Sequence, residues 1–281
     1  MLGGINRFQD RVRTKRVTRA HTSWLVTPCA CIALACQNSP SLTRRGSSLS
    51  SAVELDHVYV YAPAQSTEVA VVAALTQVGL RVSDQRKKFP DGVVGRYVRF
   101  GNAYLEVLWY DGVTSTDSQT RRQAHWETTG ASPIGIGLRR VKGAPGELPF
   151  PTRKYAASWM QPGTEIRLLG AEADTLAPVL FVVPEGQPDT VTLEQQLAAA
   201  PSEELRRRLS VRVHPLGVRY VTGVRAVVHP SGVSEAARML SESGVVQIDS
   251  GSAPLVELRF DDTKRRESRD LRPTVPLVLN Y

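Results

Sequence analysis

The stretch GVVGRYVRFGNAYLEVLWYD (Gly92–Asp111) decides the fold, because it predicts two β-strands joined by a tight turn. The turn lies at Gly101-Asn102, a dipeptide that readily adopts left-handed backbone angles. Successive side chains of a strand point to opposite faces, so the second strand has one wholly apolar face. That face carries Leu105, Val107 and Trp109, and the opposite face carries Tyr104, Glu106 and Leu108.

Glu106 lies in the middle of this apolar strand, where a carboxylate without a partner is costly. The nearest candidate partner is His57, in the upstream strand LDHVYVYAP (Leu55–Pro63). Alternation there places Val58 and Val60 on one face and three ring side chains on the other: His57, Tyr59 and Tyr61. A His and a Glu from two strands that face one cavity predict a binding site.

The net charge of +8 is concentrated at the N-terminus. Residues 1–50 hold eight Arg or Lys and one acidic residue, which leaves the other 231 residues at +1. A nearly neutral folded part argues against a nucleic-acid-binding surface.

Residues 1–36 have the order of a bacterial lipoprotein signal peptide. A basic segment that ends at Arg19 precedes the apolar Ser23–Ala35, which is too short to span a membrane. The sequence IALAC (Ile32–Cys36) resembles a lipobox and predicts a lipid anchor on Cys36, on a periplasmic or extracellular protein. The alternative is that residues 1–50 come from a misassigned start and the protein is cytoplasmic. All three cysteines lie in this leader, so no Cys-based metal site is expected beyond it.

Residues 37–53 are Ser-rich and predict a flexible tether. After the first strand, Ser66 is expected to cap a helix that ends before Gly79. Leu80–Lys87 then predicts an edge strand, so the order up to Asp111 is strand, helix and three strands.

A similar opening recurs at Val221–Pro230, followed by a second amphipathic helix and the strand LVELRF (Leu255–Phe260). Glu257 lies mid-strand there, as Glu106 does in the first copy. We therefore divide the folded chain into a first part, 54–183, and a second, shortened module, 184–281.

The residues between the two copies predict three further strands, at Ile134–Arg140, Thr164–Leu169 and Pro178–Val183. The segment PFPTRKY (Pro149–Tyr155) is expected to be a rigid connector between the first two of these strands.

The combination of LDHVYVY, FGNAYLEVLWYD, ASPIGIGLRR and PFPTRKYA resembles the glyoxalase-like domain proteins of the vicinal oxygen chelate superfamily. The resemblance covers about Leu55–Tyr281. It implies an α+β fold of paired βαβββ modules, whose curved mixed sheets enclose a cavity. In metal-using members of this superfamily, the cavity holds a divalent ion bound by His and Glu side chains.

By this resemblance, His57 and Glu106 match the metal ligands of the first and last strands, and Glu257 is a candidate third ligand. Two protein ligands alone are fewer than divalent-ion sites usually have. The alternative role of Glu257 is to pair with Arg225 or Arg259 on a sheet face. Arg96 matches an arginine of related sequences and is expected beside Glu106. With Tyr59 and Tyr104, it forms the predicted substrate-binding set.

Two function classes remain open. The first is a lyase, isomerase or dioxygenase that uses a divalent metal to polarise adjacent oxygens of a small substrate. The second is a non-catalytic small-molecule-binding lipoprotein with a degenerate metal site. Where related sequences carry a His, a Gly-Gln-Gly-Thr loop and an Asn, this chain has Lys88, Pro90–Val93 and Gly95, which are poorer in polar groups.

Overall fold

The computed structural model describes residues 52–112, 118–141, 143–144, 147–148, 150–156, 160, 164–170, 175–183 and 192–281. The predicted leader, the Cys36 anchor and nearly all of the tether lie outside these residues, so the anchor stays a prediction. Among the described residues, no helix is both long and apolar enough to cross a membrane.

The first βαβββ unit is present as predicted in order. It consists of β1 (Val53–Tyr61), α1 (Gln65–Gln77), β2 (Lys87–Lys88), β3 (Val93–Arg99) and β4 (Tyr104–Tyr110). The predicted edge strand is shorter than expected, because only its last residue and Lys88 pair with β3.

The ends of α1 differ in how well their sequence signals predict them. The N-cap is Ala64 and makes no side-chain hydrogen bond, so the expected cap by Ser66 is wrong. Gly79 follows the C-cap with a φ of 90°, as expected of a residue that ends a helix in the left-handed region.

The turn between β3 and β4 lies at Gly101-Asn102 as predicted, since Arg99 pairs with Tyr104 and Phe100 N donates to Ala103 O at 2.8 Å, but its backbone angles are not left-handed. Neither Gly101 nor Asn102 has a positive φ. Gly101 is required for a different reason, since a Cβ atom there would collide with the Tyr220 ring. The Asn102 side chain donates to Val221 O at 2.8 Å and accepts from Val221 N at 2.9 Å. The conformation of this loop is therefore determined by its contacts with Tyr220 and Val221.

An eight-stranded sheet contains this unit and the four strands that follow it: β5 (Ile134–Arg140), β6 (Thr152–Tyr155), β7 (Ile166–Leu169) and β8 (Val179–Val183). Its order is β2-β3-β4-β1-β5-β8-β7-β6. Strand β1 is parallel to β4, and β5 is parallel to β8. The antiparallel pairing of β1 with β5 joins the two halves of the sheet.

The module that pairs with the first unit is therefore formed by residues 134–183. The connector assigned to Pro149–Tyr155 also contains a strand, β6, which pairs with β7. The α+β class with two mixed sheets is confirmed.

The C-terminal part forms a separate five-stranded sheet with the order β10-β9-β11-β13-β12. Its strands are β9 (Val221–Val228), β10 (Gln247–Ser250), β11 (Leu255–Phe260), β12 (Ser268–Asp270) and β13 (Leu277–Asn280). Strand β9 is antiparallel to β11, whereas β1 is parallel to β4. The sequence repeat is thus not a repeat of topology.

The remaining helices are α2 (Ser118–Ala124), α3 (Trp126–Thr129), α4 (Leu193–Ala199), α5 (Glu203–Ser210) and α6 (Glu235–Ser243). One apolar core includes Val58 and Val60 of β1, Leu75 of α1, and Leu240 and Leu258 of the C-terminal part. Trp109 packs against this core, on the side of β4 opposite to Glu106.

Candidate functional site

The strand register places the cavity-facing side chains in two rows that run across neighbouring strands. The first row is Arg99, Tyr104, His57, Gly137 and Phe181. The second row is Tyr97, Glu106, Tyr59, Gly135 and Val179. Every member except the two glycines lines a cavity of about 810 Å³. His57 and Glu106 therefore share this cavity, and their roles as ligands stay predictions.

A β-bulge in β1 gives His57 a partner that the sequence pattern does not predict. The register between β1 and β5 shifts between Leu55 and His57, so Asp56 is an extra residue without a partner in the ladder. The Oδ2 atom of Asp56 lies 2.7 Å from His57 Nδ1. Burial raises the pKa of Asp56, but the hydrogen bond and charge of His57 and the charge of Arg139 outweigh it and lower that pKa.

The imidazole of His57 is packed between aromatic rings. It stacks on Tyr104 with ring centroids 4.4 Å apart, and it meets Phe181 edge-on at 5.1 Å. Gly137 lies beneath it, and a Cβ atom there would come within 2.5 Å of His57 Cε1. Since Asp56 occupies Nδ1, Nε2 is the ring nitrogen available to a ligand.

Glu106 is buried in the second row. Burial raises its pKa, an effect that the charges of His57 and Arg99 only partly oppose. Tyr97 and Tyr104 flank it, and burial together with the Glu106 charge raises the pKa of both phenols. Tyr97 and Glu106 are also hydrogen-bonded to each other, so these three side chains form one buried polar group in the cavity wall.

Tyr59 and Gln123 form a further polar pair in the cavity wall. The Tyr59 hydroxyl donates to Gln123 Oε1 at 3.1 Å, and Gln123 Nε2 donates to Ser132 O at 2.9 Å. Sequence analysis missed Gln123, because it lies on the short helix α2, which no hydrophobic pattern predicts. It also missed Asp56, because alternation assigns neighbours on a strand to opposite faces and only the bulge brings Asp56 to His57.

The structure does not bring Arg96 or Glu257 to the cavity. Arg96 pairs in register with Val107, and its Nη1 lies 3.9 Å from the buried Glu68 of α1. The expectation that it lies beside Glu106 is therefore wrong. Glu257 lies in the five-stranded sheet and accepts from Arg225 Nη1 at 3.0 Å, which matches the alternative role considered for it.

The cavity residues do not fit a metal site held by three protein ligands. Among the described residues, no group of three or more His, Cys, Asp or Glu side chains is arranged to hold an ion. The second half of the sheet adds only Gly135, Gly137, Val179 and Phe181 to the two rows, and none of these has a donor side chain. Divalent ions held by proteins usually have three or more such ligands.

No known family profile matches the chain, and no curated protein matches it. Solved structures similar to it include a hypothetical protein from Bacillus halodurans, 12% identical with a TM-score of 0.33, covering 50% of this chain and 99% of that one. A hypothetical protein from Staphylococcus aureus is 10% identical with a TM-score of 0.37, covering 81% and 98%. Streptomyces coelicolor methylmalonyl-CoA epimerase, solved with 2-nitronate-propionyl-CoA, is 11% identical with a TM-score of 0.31, covering 49% and 98%. Similarity this low carries no functional argument, so the site is interpreted from its own geometry.

Proposed function

We propose that the cavity binds a small, largely apolar organic molecule directly through protein side chains, without a protein-bound metal ion. The observation that carries this proposal is the composition of the two rows. Their polar groups all come from β1, β3 and β4, and the facing strands β5 and β8 contribute glycine, valine and phenylalanine. Farther along the second half, the cavity is lined by two hydroxyl side chains, Tyr155 and Thr164, but the described lining there includes no His, Asp, Glu or Cys, which favours contact with a ligand over enclosure of an ion.

The aromatic composition of the wall favours a ligand with a planar part. His57 already stacks on Tyr104 and meets Phe181 edge-on, and a planar ligand can extend such packing. The Arg99 guanidinium lies 5.4 Å from the Tyr97 ring and 5.6 Å from the Tyr104 ring. A polar group on the ligand would meet Glu106 and the phenols of Tyr97 and Tyr104.

A second candidate function is a divalent-metal-dependent lyase, isomerase or dioxygenase. Its support is that His57 and Glu106 share the cavity, and that a carboxylate on Nδ1 is the usual outer partner of a metal-bound imidazole. Such a site would depend on ligand oxygens or water to complete the coordination of the ion.

Calorimetric titration of chelator-treated protein with the probe 1-anilinonaphthalene-8-sulfonate tests the proposal. The dye combines a planar apolar part with an anionic oxygen group. We expect saturable binding whether EDTA is present or absent. Glu106→Gln should weaken binding about 5-fold, because a buried hydrogen bond contributes about 1 kcal/mol. Glu257→Gln is the matched control, a mid-strand Glu of the other sheet, and should bind like the wild type.

Titration of the same proteins with Mn²⁺, Ni²⁺ and Zn²⁺ separates the two candidates. If the cavity binds its ligand without a metal, the wild type and Glu106→Gln should bind these ions equally weakly. Tight ion binding by the wild type and Glu257→Gln, lost in Glu106→Gln, would establish the metal site and overturn the proposal. Dye binding that requires a divalent ion would have the same consequence.

A further inference from the structure

Arg139 of β5 contacts three groups, one of which, Asp56, is the partner of the cavity residue His57. Its Nε donates to Glu54 Oε1 at 2.7 Å, its Nη1 to Asp56 Oδ1 at 3.4 Å, and its Nη2 to Asn102 O at 3.0 Å. The planar guanidinium can reach three acceptors in fixed directions, which a lysine ammonium on a flexible stem cannot reproduce. Its side chain is 18% exposed, so these bonds are largely shielded from water.

The two oxygens of Asp56 have different partners. Oδ1 accepts from Arg139, and Oδ2 lies 2.7 Å from His57 Nδ1. An ionised carboxylate only accepts hydrogen bonds, so in the neutral form of the imidazole Nδ1 carries the hydrogen and Nε2 keeps its lone pair. The position of Asp56 therefore decides which nitrogen of His57 can accept a hydrogen bond from a ligand.

Asn102 connects this group to the C-terminal sheet. Its backbone oxygen accepts from Arg139, and its side-chain amide makes two hydrogen bonds with the backbone of Val221 at the start of β9. The neighbouring Gly101 N donates to Arg219 O at 2.8 Å. Contacts of known geometry thus run from β9 through Asn102, Arg139 and Asp56 to His57.

We propose that Arg139 is a positioning residue, which holds the Asp56 carboxylate against His57 and so presents Nε2 of the imidazole to the cavity as a hydrogen-bond acceptor. Asn102, which hydrogen-bonds both Arg139 and Val221, connects the C-terminal sheet to Arg139. The function of the cavity is thereby linked to a sheet that does not line it.

Substitution of Asp56 by Asn gives a test that a purely structural role does not predict. Arg139 should keep the amide oxygen of the variant on its own side, which directs the amide NH₂ towards His57 Nδ1. An NH₂ group donates, so Nδ1 must accept and the hydrogen must move to Nε2. We therefore expect Asp56→Asn to invert the imidazole tautomer, and the inversion to require Arg139.

The measurement is the pair of ¹⁵N chemical shifts of the His57 imidazole at one fixed neutral pH. The chain has five histidines, so ¹⁵N-histidine labelling gives few signals, and His57→Gln identifies the one of interest. We expect the Nδ1–H form in the wild type, the Nε2–H form in Asp56→Asn, and a mixture in the double variant Asp56→Asn/Arg139→Gln. Asp56→Asn/Arg225→Gln is the matched control and should keep the Nε2–H form, because Arg225 also contacts two carboxylates, Asp249 and Glu257, but lies in the five-stranded sheet.

Several outcomes would overturn the proposal. An unchanged tautomer in Asp56→Asn would show that Asp56 does not select it. Full inversion in the double variant would show that Arg139 does not hold the side chain. A mixture of tautomers in Asp56→Asn/Arg225→Gln as well would show a general loss of structure instead of local positioning by Arg139.

Ligand affinity gives a second measurement, and this part rests on the proposed function. Arg139→Gln should weaken binding of 1-anilinonaphthalene-8-sulfonate about 3-fold to 10-fold, whereas Arg225→Gln should not. If the dye does not bind even the wild type, the proposed function fails while the tautomer measurement still decides the role of Arg139.

Discussion

The two halves of the eight-stranded sheet have the same strand pairing and opposite chemistry. In the first half, β1 runs parallel to β4, and the cavity rows carry acid, imidazole, phenol and guanidinium groups. In the second half, β5 runs parallel to β8, and the same rows carry two glycines, a valine and a phenylalanine. The difference shows that topology alone does not create a symmetric site.

The glycines of β5 leave space in the cavity for large side chains of the first half. The rings of His57 and Tyr59 lie directly over Gly137 and Gly135, in the space that a side chain on β5 would occupy. The second half thus provides room and mostly apolar surface, with Tyr155 and Thr164 as its hydroxyl side chains, while the first half provides the imidazole, carboxyl and guanidinium groups. The following experiments alter one half at a time, from the largest expected effect to the smallest.

Gly135→Ala should destabilise the protein by about 3 kcal/mol, because the added Cβ would overlap the ring of Tyr59 and force it to move. Gly95→Ala is the control in the first half, on the same face of the sheet. Its Cβ would press only on the tip of Leu108, at 3.0 Å, and would lie in ordinary contact with Tyr97 at 3.5 Å, so we expect a loss below about 1 kcal/mol. Urea unfolding of both variants measures the difference, and equal losses would contradict a special role for the glycine in β5.

His214 supports the first half from outside the sheet and should make its stability depend on pH. Its Nδ1 accepts from Arg81 N and its Nε2 donates to Arg99 O, each at 2.9 Å, which requires a neutral ring. Burial lowers its pKa to about 4. The unfolded state therefore binds more protons than the folded state below the ordinary histidine pKa of about 6.5, and the contribution of His214 is lost as the pH falls through this range.

The expected loss of unfolding free energy between about pH 8 and about pH 5 is roughly 2 kcal/mol from this group. Denaturant unfolding at both pH values, for the wild type and His214→Gln, measures it. The variant should lack this part of the pH dependence. An identical pH dependence in both proteins would show that His214 is not responsible.

Phe181→His should add a third metal-binding side chain to the cavity and so increase its affinity for divalent ions. The Phe181 ring centroid lies 5.1 Å from that of His57, so an imidazole there adds a third donor to His57 and Glu106. We expect Ni²⁺ or Zn²⁺ affinity to rise about 10-fold or more over the wild type, equivalent to about 1.4 kcal/mol. Calorimetry measures the change, and Phe181→Asn controls for loss of the aromatic ring. No gain in Phe181→His would show that the two halves do not converge on one point.

The tertiary structure also shows which sequence signals have only local meaning. The repeat that relates Val221–Phe260 to the first unit correctly identifies a strand, a helix and a strand with a central Glu. It does not determine which strands become neighbours, and β9 pairs antiparallel with β11. Glu257 consequently lies on another sheet, paired with Arg225, although its local pattern resembles that of Glu106.

The sequence by itself determined the first unit and its faces. Alternation placed His57, Tyr59 and Glu106 opposite the apolar residues of their strands, because the two-residue period of a strand is a local property of the backbone. Only the tertiary structure decided that β5 follows β1 in the sheet, that Asp56 bulges towards His57, and that Arg96 faces α1. Each of these depends on register between distant segments, which is set by the packing of the whole core and leaves no local trace in the chain.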